Sequence, residues 1–198
     1  MPGHLHENLY VQFTRILRIK LAEMKVRKSD LIETGSAIFQ GNQNSKRADS
    51  GFKPSRHRPG ESWPTLVIEC AVSESLERLR GDGSRWLQNS EAPQDVKIAL
   101  LFRATKADRR IHIEMWEISD VPNPLASRAH PHPHKPSPTK IHELDIIGDD
   151  ATCDVIGAPL TLDFEKIFLR EPRQGQGDIV FNIRDLKAYA ANVWRGIE

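Results

Sequence analysis

Two carboxylates stand where the surrounding sequence gives them no structural reason. Glu69 interrupts Leu66-Val67-Ile68-Glu69-Cys70-Ala71-Val72, a run of aliphatic and β-branched residues bounded by Pro64 and by Ser73-Glu74-Ser75. A short apolar run with such ends predicts a strand covered on both faces. A charge inside it is costly unless it is paired or binds a cation. Asp49 lies twenty residues earlier, in Lys46-Arg47-Ala48-Asp49-Ser50, at the end of a polar segment. Acids on neighbouring strands can share a hard cation: Mg2+ takes one or two carboxylates and keeps its other positions for water and phosphate. The chemistry such a pair would serve, with Mg2+ or Mn2+ at Asp49 and Glu69, is phosphodiester hydrolysis.

The elements that must position the pair follow from periodicity. Residues 5–26 predict a helix, with Leu5, Leu9, Phe13, Ile16, Leu17 and Met24 on one face. Lys20 lies near the middle of that face, where it can snorkel, pair with Glu23 or point at a site. Leu31-Ile32 and Ala37-Ile38-Phe39, around Thr34-Gly35-Ser36, predict a hairpin. Lys46 to Phe52 predicts a short strand carrying Asp49, and 64–72 the central strand carrying Glu69. Between them lies a basic Pro/Gly loop with Arg56, His57 and Arg58, which reads as a solvated surface more than a phosphate track.

Ser73 to Asn89 predicts a second helix, capped by Ser73 or Ser75 and packing through Leu76, Leu79, Trp86 and Leu87. Gly81 and Gly83 within it predict a kink or a close approach of backbones. Val96 to Arg103 reads as an apolar strand, and the alternation of Arg110 to Ile118 as a half-buried, edge-like antiparallel one. Residues 121–139, rich in Pro and His, predict a mobile loop. Its His130, His132 and His134 are fanned apart by the intervening prolines and read as no metal site. Residues 140–147 and 178–182 predict strands. Residues 183–197 predict a closing helix capped by Asn182, with Leu186, Tyr189, Ala190, Val193 and Trp194 on its face. Residues 160–168 are apolar without a readable period.

The 198 residues suit a single domain spanning 1–198: a core over about 5–119, the loop 121–139, and 140–198 as a C-terminal extension. A net charge of +1 neither demands nor excludes a nucleic-acid partner, so any attraction must come from local clusters. Cys70 and Cys153 lack metal-ligand spacing and read as free thiols of an intracellular protein, in cytoplasm or nucleus. No apolar run reaches the ~18 residues of a membrane span, so no membrane partner is expected. Nothing in the sequence indicates an oligomeric state.

Ala48-Asp49, an apolar strand containing Glu69, a helix and then a strand resemble the PD-(D/E)XK nuclease superfamily, the restriction-endonuclease-like fold. The wording Lys46-Arg47-Ala48-Asp49-Ser50-Gly51-Phe52-Lys53-Pro54, then Pro64-Thr65-Leu66-Val67-Ile68-Glu69 and Ser73-Glu74-Ser75, resembles a group of uncharacterised, mainly fungal relatives. The resemblance covers about residues 5–119. It implies an α/β core with a mixed, mostly antiparallel sheet flanked by helices, and a metal site at Asp49 and Glu69. The motif's Lys, two residues after the acid, would share its strand face and activate the attacking water; here that position is Ala71. Some members of the superfamily move the basic residue to the following helix. Arg80 there flanks the packing face and is the candidate replacement, while Arg85 lies nearly opposite. Arginine stays protonated and makes a poor general base.

Two functions remain open on these residues. One is a metal-dependent nuclease-like enzyme that cuts a phosphodiester bond, whose site the missing Lys leaves either working or degenerate; the other is a catalytically inactive nuclease-fold binding or scaffold module. A purely structural role also remains, with Asp49 capping a turn and Glu69 paired to Lys20, Lys46 or Arg80.

Overall fold

A computed structural model describes residues 3–35, 37–40, 45–72, 74–90, 95–124, 133–149 and 153–197. The first helix, α1 (His4–Glu23), buries Leu5, Leu9, Phe13 and Leu17 of the expected stripe, with Leu21 in addition, while Ile16 and Met24 are only partly buried. Lys20 reaches out of that stripe to Asp185, 2.7 Å away, and stands 5.6 Å over the Phe181 ring. Its partner is therefore Asp185, in place of the Glu23 or site carboxylate open to it in sequence.

A seven-stranded sheet forms next. Its order is β1 (Leu31–Glu33), β4 (Ser50–Pro54), β5 (Leu66–Val72), β6 (Ile98–Thr105), β7 (Arg110–Pro122), β8 (His134–Ile147) and β9 (Asp154–Ile156). Among the described residues of this sheet only β5 and β6 run parallel. Helix α2 (Leu76–Asn89) makes the crossover between them, as a parallel pair requires. Ser75 caps α2 by accepting the Arg78 N–H at 3.2 Å. The architecture is the expected one: mixed α/β, with a mostly antiparallel sheet flanked by helices.

The sheet is a wall between two cores. On one face α1 and α4 (Ile183–Trp194) pack on Leu66, Ile68, Leu100, Phe102, Ile111 and Ile113. Phe13 stacks on Phe181 at 4.8 Å, and the Tyr189 hydroxyl donates to Leu9 O at 3.0 Å. Asn182 caps α4 in a reciprocal capping box with Asp185. On the other face α2 packs Leu79, Trp86 and Leu87 on Val67, Ala71, Ala99 and Leu101. Residues 160–168, which carry no period, form β10 (Leu160–Leu162), paired to β11 (Ile179–Phe181), and a short helix α3 (Phe164–Phe168).

Four expectations are corrected. Leu31–Phe39 is not a hairpin: β1 pairs with β4, while β2 (Ile38–Gln40) pairs with β3 (Ser45–Arg47). The Thr34 N–H donates to Gly51 O at 2.8 Å, prolonging the β1–β4 ladder, and Gly35 then turns away at φ 55°. The Asp49 strand is two strands, β3 and β4, with Ala48 and Asp49 outside both. The 110–118 strand is no edge, since β7 is paired on both sides.

The loop expected at 121–139 is strand at both ends, because β7 runs through Pro122 and β8 starts at His134. Pro136 and Pro138 are tolerated since β9 meets only the far end of β8, at 145–147. By the alternation of the β7–β8 ladder their missing N–H groups turn away from β7, to a side with no ladder there among the described residues. His130 and His132 lie outside the described residues. Cys70 and Cys153 are both buried thiols. No helix of the described residues is long and apolar enough to cross a membrane.

Candidate active site

Glu69 belongs to a row that crosses the sheet. It stands opposite Leu101 on β6, Leu101 opposite Glu114 on β7, and Glu114 opposite Glu143 on β8. Residues directly opposite one another project to the same face, here the one that α2 covers. Ser50 pairs with Ile68, and one further step of that register sets Asp49 opposite Glu69. Asp49 sits in a bend just outside β4, so its side chain is not held to the strand alternation.

Helix α2 lies across this row like a ruler. Residues three apart on a helix share a face, and 80, 83 and 86 meet three successive strands. The Trp86 indole N–H donates to Glu69 Oε1. Gly83 sits directly over Leu101: a Cβ there would come 2.9 Å from Leu101 Cδ2. Arg80 clasps Glu114, its Nε 3.1 Å from Oε2 and 3.2 Å from Oε1. The close approach expected of one glycine is thus real, but it is to a side chain of the sheet.

Asp49 is held from the other side. Its Oδ2 accepts the Cys70 N–H at 2.8 Å, one peptide from Glu69, and lies 3.4 Å from His6 Nε2. His6 Nε2 also meets Cys70 O at 3.0 Å. The hydrogen bond to Asp49 raises the His6 pKa, against the opposing effect of burial, with the Asp49 charge and the Cys70 carbonyl adding to the rise. The sequence reading missed His6 because it only flanks the apolar stripe of α1.

By register Asp49, in the bend before β4, thus falls opposite Glu69 of β5; its carboxylate is held by Cys70 and by His6 of α1, that of Glu69 by Trp86 of α2. Carboxylate oxygens are the kind of donor a hard divalent ion takes, and ligating carboxylates are commonly oriented by N–H groups. Arg80 is not brought to them. The acidic charges that act on its guanidinium are those of Glu114 and Glu143. Ala71, where the motif would carry Lys, is 2% exposed and enclosed by Leu79 and Leu101, with Leu76 and Trp116 beside them.

A second polar group occupies β7 and β8. His112, Glu114 and Glu143 bring potential ligand atoms within 4.8 Å of one another, an acidic cluster that could hold a metal ion. Glu114 is fully buried. Burial pushes its pKa up, but hydrogen bonds from His112, Arg80 and Trp116 outweigh that and hold it well below the usual carboxylate range. The ammonium of Lys140 stands 3.7 Å from Glu114. Arg80 and Lys140 already supply positive charge here, so the cluster works as an ion-pair network. Its sequence signal was hidden: Glu114 alternates with Ile113 and Met115, which places it on the face opposite theirs, and the sequence does not say that a helix covers that face.

No protein-family model and no curated protein matches the chain. A solved structure similar to it is a candidate nuclease belonging to DUF820 from Anabaena variabilis ATCC 29413. The TM-score is 0.47 and the identity 10%, over 96% of this chain and 84% of that one.

Proposed function

We propose that this chain is a nuclease-fold protein of the PD-(D/E)XK type that keeps a carboxylate pair for Mg2+ or Mn2+ and has lost efficient phosphodiester hydrolysis. Asp49 and Glu69 would hold the ion. Bound there, it supplies Lewis-acid charge and lowers the pKa of coordinated water. The chain's own part is to orient the ligands: the Cys70 amide and His6 fix Asp49, and Trp86 fixes Glu69. The partner is nucleic acid.

The observation that carries the loss of turnover is the closed position at Ala71. A cation there would sit among Leu79 and Leu101, and the nearest replacement, Arg80, is spent on Glu114. Without a base beside the water, rates fall by about 10²–10⁴.

The test is a Mn2+ titration followed by incubation with single- and double-stranded DNA and RNA. Weak binding that disappears in Asp49→Asn, with cleavage at or near background, is expected. Ala71→Lys does not rescue activity in this reading; it destabilises by on the order of 3 kcal/mol, because it forces a charge into an apolar gap. Robust Mg2+-dependent cleavage by the wild type, abolished by Asp49→Asn, would overturn the proposal in favour of an active nuclease. The second reading, an inactive nuclease-fold binding or scaffold module, is favoured by the Trp86–Glu69 bond. It prevails if no metal binds and nucleic acid still does.

A further inference from the structure

At the end of β4 remote from Asp49, two rigid turns converge. The first is 54–58, closed by the Arg58 N–H donating to Pro54 O at 2.9 Å. Arg58 itself turns inward, 1% exposed, and donates to Trp63 O at 3.1 Å and Asp95 O at 3.0 Å. Arg56 and His57 are left facing out.

The second turn follows α3, where Leu169 adopts the left-handed conformation at φ 53°. Arg170 is then clamped. Its guanidinium lies 4.8 Å and 5.5 Å over the Phe164 and Phe168 rings, which stack on each other at 4.4 Å. One Nη donates to Glu171 O at 2.8 Å and the other to Gln176 Oε1 at 2.9 Å. The same Gln176 oxygen accepts the Arg173 N–H at 3.2 Å, and the Gln176 N–H donates to Arg173 O at 2.8 Å. One glutamine therefore fixes both arginines of the turn.

Arg56, His57, Arg170 and Arg173 line one recess of about 20 Å³, with Asp30 the one carboxylate lining it among the described residues. That volume holds about one oxygen of a phosphate and no ring, so the rest of such a group would lie at the mouth of the recess, against the exposed Arg56 and Arg173. We infer that this recess is an anion site that takes a phosphate group, with Arg170 as the fixed donor fork and Arg56 and Arg173 closing on the other oxygens. Guanidinium matches phosphate in a bidentate fork, and a side chain already immobilised loses little entropy when it binds.

The crowding of like charge supports the inference. Burial and then Arg173 pull the Arg170 pKa below its ordinary value, Asp30 opposes them, and Arg56 adds to the fall. A dianion relieves that repulsion. The site lies about six strand residues from Asp49, roughly 20 Å at ~3.3 Å each. It stands apart from the carboxylate pair and does not depend on the nuclease reading.

The experiment titrates metal-free protein, in chelator and at low salt, with inorganic phosphate. It then uses one hexanucleotide with either a 5′-phosphate or a 5′-hydroxyl, and side-chain NMR signals of arginine report binding. Saturable phosphate binding is expected in the wild type. It should weaken about tenfold or more in Arg56→Ala/Arg173→Ala, whose residues are exposed, and also in Arg170→Lys, which keeps the charge but loses the fork.

Asp49→Asn/Glu69→Gln should leave binding unchanged, so failure of this site and failure of the nuclease reading are distinguishable. Preference for the 5′-phosphorylated strand identifies a terminal phosphate as the ligand; equal binding of both strands identifies the internal backbone. Absence of saturable phosphate binding, or binding that the double variant leaves intact, overturns the inference.

Discussion

A carboxylate with no exposure, yet ionised, has to be surrounded by donors, and Glu114 is: Arg80, Trp116 and His112 all reach it. Removing one partner of such a pair leaves a buried charge uncompensated. Arg80→Ala should therefore cost about 3 kcal/mol in denaturant unfolding while leaving the Mn2+ affinity of the protein unchanged. A lost metal affinity with unchanged stability would instead place Arg80 at the Asp49/Glu69 pair. The sequence could show that Glu69 was out of place, because the surrounding residues are uniformly apolar. It could not show Glu114 or His6, because an acid in an alternating strand and a histidine beside an apolar stripe both look like ordinary surface residues. Trp86 was legible as packing, and its indole N–H, which needs an acceptor when buried, was the overlooked hint.

At the scale of the element, α2 is positioned by its two glycines in different ways. Gly81 is exposed with nothing within 4 Å of a Cβ built on it, whereas Gly83 rests on Leu101. Gly81→Ala should stabilise by about 1 kcal/mol through helix propensity alone. Gly83→Ala gains the same propensity but must displace a packed leucine, and should come out less stable than Gly81→Ala by about 1–3 kcal/mol. Equal melting temperatures for the two variants would show that α2 has room to lift.

The long helices were readable because α1 and α4 each repeat an apolar residue often enough to define a face, and the Asn182 cap announces the start of α4. Three-residue strands such as β1 and β2 carry no such period. Their partners are decided by a distant acceptor, Gly51 O for Thr34, that no local pattern reveals.

On the scale of the whole molecule, the polar groups buried along the sheet couple its stability to pH. His112 has its pKa raised by its hydrogen bond to Glu114, against burial, with Asp145 helping, and His6 is raised through Asp49. Their contributions are complete below the ordinary histidine value of 6.5 and fade as pH rises through the raised folded-state values. Glu114 and Asp145 are depressed, so their contributions are present above 4.5 and 3.8 and fade only as pH falls through the lower folded-state values. The denaturation midpoint should therefore be higher at about pH 5.5 than at about pH 8.5. His112→Gln should reduce that difference, and a midpoint that is flat across this range would contradict the pairing of both histidines. The sheet order itself was partly legible: the parallel pair follows from the helix between β5 and β6, whereas the reach of β7 and β8 into a proline-rich stretch does not.

The bond from Trp86 to Glu69 gives the chain an optical reporter of its own. The indole lies 5.6 Å from that of Trp63, close enough for the two to exchange excitation, and Trp116 and Trp194 are the only other sources of such emission. Any cation that draws Glu69 away from the indole N–H alters the polarity sensed by that one ring, so occupancy of the carboxylate pair becomes visible as a change of colour in unlabelled protein.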